Sequence, residues 1–282
     1  MDGKADLHLH TVFSDGALPT RDLLLRARSA GLTTISITDH DHTGALQEAA
    51  VEGKALGIRV IAGVELSTFV GELDVHLLGY FFDPSDKTLL ASLALFREER
   101  VKRARRIVEK LNDLKLPLKF EAVLAQAGKG SVGRPHIANA LVEEGLTESY
   151  QQAFLKFLGS GRPAYEKKYQ IPPREAIALV AGAGGLSFVA HPGNAVDDAT
   201  LRTLMKEGID GIEAVHPSHS AEMTSSYRNI ASECCLLVCG GSDFHGGRKK
   251  DADILGRYWI SLGEVDAMER RLDRRLGRLN EP

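Results

Sequence analysis

Ala5-Asp-Leu-His-Leu-His-Thr-Val-Phe-Ser-Asp-Gly16 is the stretch on which the fold and the chemistry of this chain turn. His8 and His10 are two residues apart, so on an extended strand both imidazoles share one face while Leu7 and Leu9 take the other. Asp15 follows in a turn closed by Gly16, near enough to bring a carboxylate to the same strand end. Two histidines and an acid so placed begin a metal site. The same twelve residues also read as a strand with two solvated polar positions, and by themselves they do not separate the two.

The pattern that follows repeats. Leu18–Ala30 carries apolar residues at helical spacing and stops at Gly31. Thr33–Thr38 reads as a strand that runs into Asp39-His-Asp-His42. A helix from Ala45 to Leu56 stops at Gly57, and the strand Val60–Val64 ends on Glu65. Asp74–Tyr80 alternates around His76. Further on, Leu186–Ala190 ends on His191, Gly211–Val215 on His216, and Leu236–Gly240 on Gly241-Ser-Asp-Phe-His245. Pro173–Ala183, Asp198–Glu207 and Ser220–Glu233 supply helices between them. Short apolar strands alternating with helices imply an α/β fold with a parallel sheet, and about seven such units close into a distorted (β/α)7-type barrel. Barrel chemistry gathers at the C-terminal ends of strands. Here nearly every strand ends on or carries a His, Asp or Glu, which selects the metal reading of the opening stretch.

Between the fourth strand and Pro173 the alternation stops. Leu89–Leu114 reads as one long basic helix, with shorter helices near Phe120–Gln126, His136–Glu144 and Tyr150–Leu158, then a Gly/Pro-rich return from Gly159 to Pro173. The expected organisation is therefore a barrel in two parts, 1–96 and 173–282, with an all-helical insertion at 97–172 that caps the mouth. Residues 97–174 hold 16 Lys and Arg against 9 Asp and Glu, while the remainder holds 19 against 29. A basic insertion over an acidic body suits an anionic substrate.

Composition excludes other classes. The chain of 282 residues is 43% hydrophobic and 26% charged, ordinary for a globular protein. No apolar run approaches the roughly 20 residues of a membrane span, and no basic-then-apolar leader opens the sequence, so a cytoplasmic location without membrane partners is expected. Cys234, Cys235 and Cys239 form no CxxC pair and read as core residues rather than a zinc knuckle.

His8-Leu-His10, Asp15, Thr38-Asp-His-Asp41, Glu65, His76, His191-Pro192 and Gly241-Ser-Asp-Phe-His245 together resemble the polymerase-and-histidinol-phosphatase (PHP) family of metal-dependent phosphoesterases, over the whole chain. Within it the chain looks like the insertion-bearing branch, whose members hydrolyse nucleoside 3′,5′-bisphosphates or trim 5′-phosphorylated RNA. The resemblance implies two or three divalent metals. His8, His10, Glu65 and Asp243 would hold the first; Glu65 would bridge to a second, with His76 and His191; Asp15, His40 and His245 would hold a third. The Asp15 position is histidine in many relatives. Imidazoles and carboxylates suit Mn²⁺, the expected ion, or Fe²⁺ or Zn²⁺. A carboxylate bridging ions roughly 3.5–4 Å apart can activate a water as hydroxide for in-line attack on phosphorus. Glu65, Asp243, His191 and His245 form the expected catalytic set.

Arg134, Lys168 and His216 match phosphate-contacting positions of that branch. Arg134 also stands just before a helix with Pro135 in its first turn, a place that favours anions. His136, His42 and His219 read as structural or helix-capping, and Asp6, Asp39 and Asp41 as buried carboxylates or supports of ligands. Arg100, Arg103 and Arg106 recur every three residues, the pattern of a solvated helix face or of a track for RNA. Val215 departs from relatives that carry an aromatic before the His216 position, which leaves base preference open. The expected partner is a phosphorylated small molecule, a nucleotide before a short RNA. A small-metabolite phosphatase, such as one acting on histidinol phosphate, and a non-catalytic scaffold module are the alternatives.

Overall fold

Both faces of the first strand are buried: Leu7 and Leu9 on one side and His8 and His10 on the other are each wholly inaccessible. A strand covered on both sides belongs to a closed or doubly covered sheet. The structure, a computed structural model describing residues 3–247 and 251–278, shows such a barrel. In chain order it runs β1 (Lys4–Leu9), α1 (Thr20–Ser29), β2 (Leu32–Ile37), α2 (Leu46–Leu56), β3 (Arg59–Val70) and β4 (Leu73–Tyr80). The helices α3 (Lys87–Asp113), α4 (Phe120–Ala127), α5 (Arg134–Glu143) and α6 (Tyr150–Ala153) follow, α6 running on into a π turn at Phe154–Leu158. Then come α7 (Pro173–Gly182), β5 (Leu186–Val189), α8 (Asp198–Glu207), β6 (Gly211–Val215), α9 (Ala221–Glu233), β7 (Leu237–Gly240), β8 (Ile260–Ser261) and α10 (Leu262–Arg275).

The sheet order is β7-β6-β5-β4-β3-β2-β1-β8. The ring closes where the chain beyond β7 returns to β1: Leu9 and Phe244 form a parallel bridge, and His10 N–H donates to the Phe244 carbonyl at 3.0 Å. Asp6 fastens this seam. Its carboxylate accepts from Ser242 N–H at 3.0 Å and Ser242 Oγ–H at 2.6 Å. Gly241 lies so close to β1 that a Cβ there would meet His8 N at 2.4 Å.

Two departures from strict alternation have local causes. β3 and β4 are joined by a hairpin at Gly71, whose φ of 60° suits glycine, with no helix between them. β4 therefore runs antiparallel to both β3 and β5, in a sheet otherwise parallel from β1 to β3 and from β5 to β7. The final pair, β8 and α10, lies outside the sequence-based reading. Its signal is a capping box in which Ser261 Oγ accepts from Glu264 N–H and the Glu264 carboxylate from Ser261 N–H. Val265 and Met268 then bury three residues apart.

α3 links the two cores. Asp86 caps its first turn, accepting from Leu89 N–H at 2.8 Å. Leu89, Leu93 and Phe96 pack into the barrel core, whereas Ala104, Ile107, Val108 and Leu111 pack with Ile137, Leu141 and Leu158 into a second core made by α3–α6. One uninterrupted helix thus fixes the helical layer against the barrel.

Burial raises the Asp6 carboxyl from 3.8 to about 7. The folded chain keeps a proton there that the unfolded chain has lost, so this group's contribution to stability falls as pH climbs from 3.8 towards about 7. Asp6→Asn should flatten that fall in chemical-denaturation midpoints. Asp6→Ala, which strands two Ser242 donors, should cost about 2–4 kcal/mol by the same measurement.

Candidate metal centre

The polar side chains converge because the barrel aims strand ends at one mouth. His8 and His10 come from β1, Glu65 from β3, and His40, His191, His216, Asp243 and His245 from the residues just past β2, β5, β6 and β7. His76 is different: it sits mid-strand, opposite Ser67 on β3. Because β4 runs backwards, its first half rather than its last reaches the mouth.

Glu65, 1% exposed, is at the centre. Its Oε1 lies 2.6 Å from His76 Nδ1 and 3.1 Å from His191 Nε2. Its Oε2 lies 2.9 Å from His40 Nδ1, 3.3 Å from His10 Nε2 and 3.5 Å from His8 Nε2. Asp243 Oδ1 stands 3.1 Å from His10 Nε2 and 3.3 Å from His8 Nε2. Asp15 Oδ1 is 3.1 Å from His245 Nε2 and 3.8 Å from His40 Nε2. His40 therefore faces two groups at once, Glu65 through Nδ1 and Asp15 through Nε2. His10, Asp15, His40 and His245 offer ligand atoms within 4.8 Å of one another, as do His8, His10 and Asp243, then His8, Glu65 and His191, and finally His40, Glu65 and His76.

The far nitrogens fix which ring atom faces inward. His8 Nδ1–H donates to Glu213 Oε1 at 2.9 Å, and His245 Nδ1–H to the Asp243 carbonyl at 2.6 Å. Ser14 Oγ–H donates to Asp39 Oδ1 at 2.5 Å, so its oxygen accepts from His10 Nδ1–H at 3.2 Å. Each bond leaves an Nε2 lone pair pointing into the cluster, the state a metal ligand needs. Among the described residues, His8 Nε2, His10 Nε2, His40 Nδ1 and Glu65 Oε2 are buried without a hydrogen-bond partner. Buried polar atoms left in this way are costly unless something else occupies them. Orphaned imidazole and carboxylate atoms facing one another fit divalent cations of the Mn²⁺, Fe²⁺ or Zn²⁺ kind.

The cluster carries an excess of negative charge that cations would answer: against burial, Glu213, Asp243 and Glu65 raise the His8 ring well above its ordinary value, and Glu65 raises His191. Burial alone would raise Glu65, but the His40, His76 and His8 rings hold it well below its ordinary range. Burial opposes ionisation of Asp243 too, yet His245 and His8 keep it well below. Burial, with His245 and His40 alongside, pushes His10 down to about 4, so the ring is neutral and its lone pair free. Backbone strain collects here as well: His191 has φ of 27° and Asp243 φ of 50°, left-handed values that non-glycine residues seldom adopt. His191 N–H is held by Glu213 Oε2 at 2.6 Å.

A cleft runs from this cluster under the helical layer. It is lined by Asp15, His40 and His76 and by the cations Arg100, Arg103, Arg134 and Lys168, with Tyr150 and Phe154 beside them. Arg134 lies between the Phe154 and Tyr165 rings, 5.8 Å and 5.6 Å from their centres, and donates to the Leu158 carbonyl at 3.1 Å. Lys168 Nζ is 2.6 Å from Asp74 Oδ2 and 2.8 Å from His76 Nε2. Burial, reinforced by Arg100 and Arg103 against the pull of Asp74, lowers it to about 8. His216 lines an adjoining opening with Glu65, His191 and Asp243, which shares His40 and His76 with the cleft. Its Nδ1 accepts from Ser218 N–H at 3.1 Å, which places the ring proton on Nε2, 3.6 Å from Asp243 Oδ2.

Some residues have other roles than their sequence pattern suggested. Arg100 and Arg103 are not a solvated face: Arg100 Nε donates to Asp41 Oδ2 at 2.5 Å, and Arg103 is 5% exposed. Burial, with Arg134 and Arg100 nearby, lowers Arg103 to about 10. Arg106 does follow the exposed pattern, beside Glu166 at 3.5 Å. Glu213 went unread. The signal was a lone acid inside the apolar run Gly211–Val215. Val215 packs against β7, where Gly240 has no room for a Cβ.

Comparison with known proteins is consistent with this geometry. Residues 6–97 match the family model described as the PHP domain. The chain is 32% identical over 255 residues to a 3′,5′-nucleoside bisphosphate phosphatase of Chromobacterium violaceum, covering 88% of this chain and 90% of that protein. It is 33% identical over 269 residues to a 5′-3′ exoribonuclease of Haemophilus influenzae, covering 94% of each. A crystal structure from Bifidobacterium adolescentis, assigned as a metal-dependent phosphoesterase, superposes with a TM-score of 0.88 at 34% identity, covering 95% of this chain and 96% of that one.

Glu213→Ala should free the His8 ring and weaken Mn²⁺ binding by about 10- to 100-fold, read by calorimetric titration of the full-length chain. Glu213→Gln should fall between, since its amide oxygen still accepts from His8 Nδ1–H.

Proposed function

Since the chain belongs to the PHP family of metal-dependent phosphoesterases, we propose that it hydrolyses nucleoside 3′,5′-bisphosphates to a mononucleotide and phosphate. The observation that carries this reading is the cleft that brings ligand-type side chains together with four buried or half-buried cations. A substrate with one phosphate would engage the ligand cluster alone. The cations beside it suit a second anion, which disfavours a small monophosphate such as histidinol phosphate.

His8, His10, Glu65 and Asp243 would hold one divalent cation, Glu65, His76 and His191 a second, and Asp15, His40 and His245 a third. Mn²⁺ is the ion we assign. Bound there, such ions supply Lewis acidity and a water-derived nucleophile at neutral pH. The chain's own groups do the rest. Arg134 and Lys168 grip the phosphate that is retained, through charge-assisted bonds. Lys168, lowered only to about 8, is still mainly cationic near neutrality. His216 presents Nε2–H to an oxygen of the phosphate being cleaved, and its tautomer is fixed by Ser218. Glu65, Asp243, His191 and His245 form the catalytic set, each locked by the partners described above. Residues 97–172 act as the cap, between barrel parts 1–96 and 173–282.

A short 5′-phosphorylated RNA presents the same two groups, a terminal phosphate for Arg134 and Lys168 and the next linkage for the metals. The relative named an exoribonuclease supports keeping it as a substrate. Tyr150 and Phe154, on the cleft wall, would receive a base, a role Val215 is too small to fill. We place the activity in the cytoplasm; among the described residues no helix is long and apolar enough to cross a membrane.

Product analysis with Mn²⁺ should show turnover of adenosine 3′,5′-bisphosphate and of a 5′-phosphorylated RNA trimer, and little of histidinol phosphate. Preference for the last would overturn the substrate assignment. Asp243→Ala and Glu65→Ala should abolish turnover of all three while circular dichroism stays native. Arg134→Ala should lower kcat/KM for the bisphosphate by about 100-fold, as expected for losing charge-assisted bonds, but hardly change that for an aryl phosphate. Equal losses on both would remove Arg134 from the specificity role.

A further inference from the structure

The turn that carries Arg134 is bonded directly to the loop that carries Asp15. His136 is 1% exposed, two residues beyond Arg134 in the first turn of α5. Its Nδ1 accepts from Gly133 N–H at 3.0 Å. The ring proton is therefore on Nε2, and it is donated to the Ser14 carbonyl at 2.9 Å. Ser131 N–H donates to the Phe13 carbonyl at 2.8 Å. Gly130 packs so tightly on the same loop that a Cβ would meet the Val12 carbonyl oxygen at 2.5 Å. The loop so gripped carries three elements of the centre: Ser14 Oγ against His10 Nδ1, Ser14 against Asp39, and the Asp15 carboxylate against His245.

From this geometry we infer that His136 is a positioning residue that couples the anion-binding turn to the metal loop. A phosphate on Arg134 orders residues 133–136, the His136 imidazole passes that order to the Ser14 carbonyl, and Asp15 is held for the third cation. Coupling of this kind is reciprocal: the cation tightens the phosphate by the same factor by which the phosphate tightens the cation. The consequence is that the Asp15, His40 and His245 set fills fully when a substrate with a second phosphate is present. The inference rests on the metal and substrate assignments proposed above.

The test is calorimetric titration of Mn²⁺ into the metal-free full-length chain, with and without adenosine 5′-monophosphate, whose single phosphate probes Arg134 and Lys168. Wild type should bind three Mn²⁺, the weakest tightened about tenfold by the nucleotide, with an equal gain in nucleotide affinity at saturating Mn²⁺. His136→Phe, which fills the space without donating, should weaken that one class and abolish its response to the nucleotide, leaving the other two classes unchanged. His136→Gln, which can still donate to Ser14, should restore most of the response. Gly130→Ala, which pushes on Val12 while leaving the His136 bonds in place, should also weaken the third class alone. A His136→Phe chain whose third class keeps its tenfold response, or one that loses all three classes equally, overturns the coupling. A wild type that binds no Mn²⁺ fails the metal assignment itself, and one that binds three without any response to the nucleotide fails only the coupling.

Discussion

Everything at the mouth of this barrel is arranged around one buried carboxylate. Glu65 is taken out of water with five imidazole nitrogens within 3.5 Å of its two oxygens. A charge in that position would cost several kcal/mol by itself. It is sustained because rings from several strand ends surround it, and two of them are held by a bond on the far side, His8 by Glu213 and His10 by Ser14. Their lone pairs are thereby directed at a common space. The result is a cluster in which His8 Nε2, His10 Nε2, His40 Nδ1 and Glu65 Oε2 lack a protein hydrogen bond, which is what a site for cations requires.

That arrangement depends on closing the sheet. Asp6 is not near the mouth's inner atoms, yet it pins Ser242 to β1 and so sets where Asp243 and His245 fall relative to His8 and His10. The reversed strand β4 does the same for His76. A parallel strand would have presented its end to the mouth; the hairpin at Gly71 presents its beginning, with His76 level with Ser67 beside Glu65. Strain at His191 and Asp243 is concentrated where these segments leave the barrel and turn inward.

The helical layer adds the second half of the chemistry. α3 reaches from the barrel core into a core of its own, so Arg100 and Arg103 are fixed over the mouth rather than free in solvent. Arg100 is tied to Asp41, and Arg103 is buried beside Arg134 and Lys168. Burial, with the neighbouring cations, lowers Lys168 and Arg103, while Asp41 holds Arg100 and Asp74 faces Lys168. The Arg100–Asp41 pair thus ties the helical layer to the barrel mouth.

The sequence by itself determined the elements that local chemistry writes into short windows. Apolar runs ended by His, Asp or Glu marked the strand ends, glycines marked helix stops such as Gly31 and Gly57, and the spacing of His8 and His10 put both on one strand face. The family pattern rested on the same short motifs. Tertiary structure alone decided what depends on partners distant in the chain. Glu213 is 205 residues from the His8 ring it orients, and nothing in a five-residue apolar run says which way its one acid points. Arg100 and Arg103 have the spacing of an exposed stripe, and only the cover of the return loop and the barrel mouth buries them. His136 reads as an ordinary helix-start histidine; its acceptor, the Ser14 carbonyl, lies 122 residues away. Period and composition fix which face a residue shares with its neighbours along one element. Which other element that face meets is set by chain closure and packing, and those are properties of the whole fold.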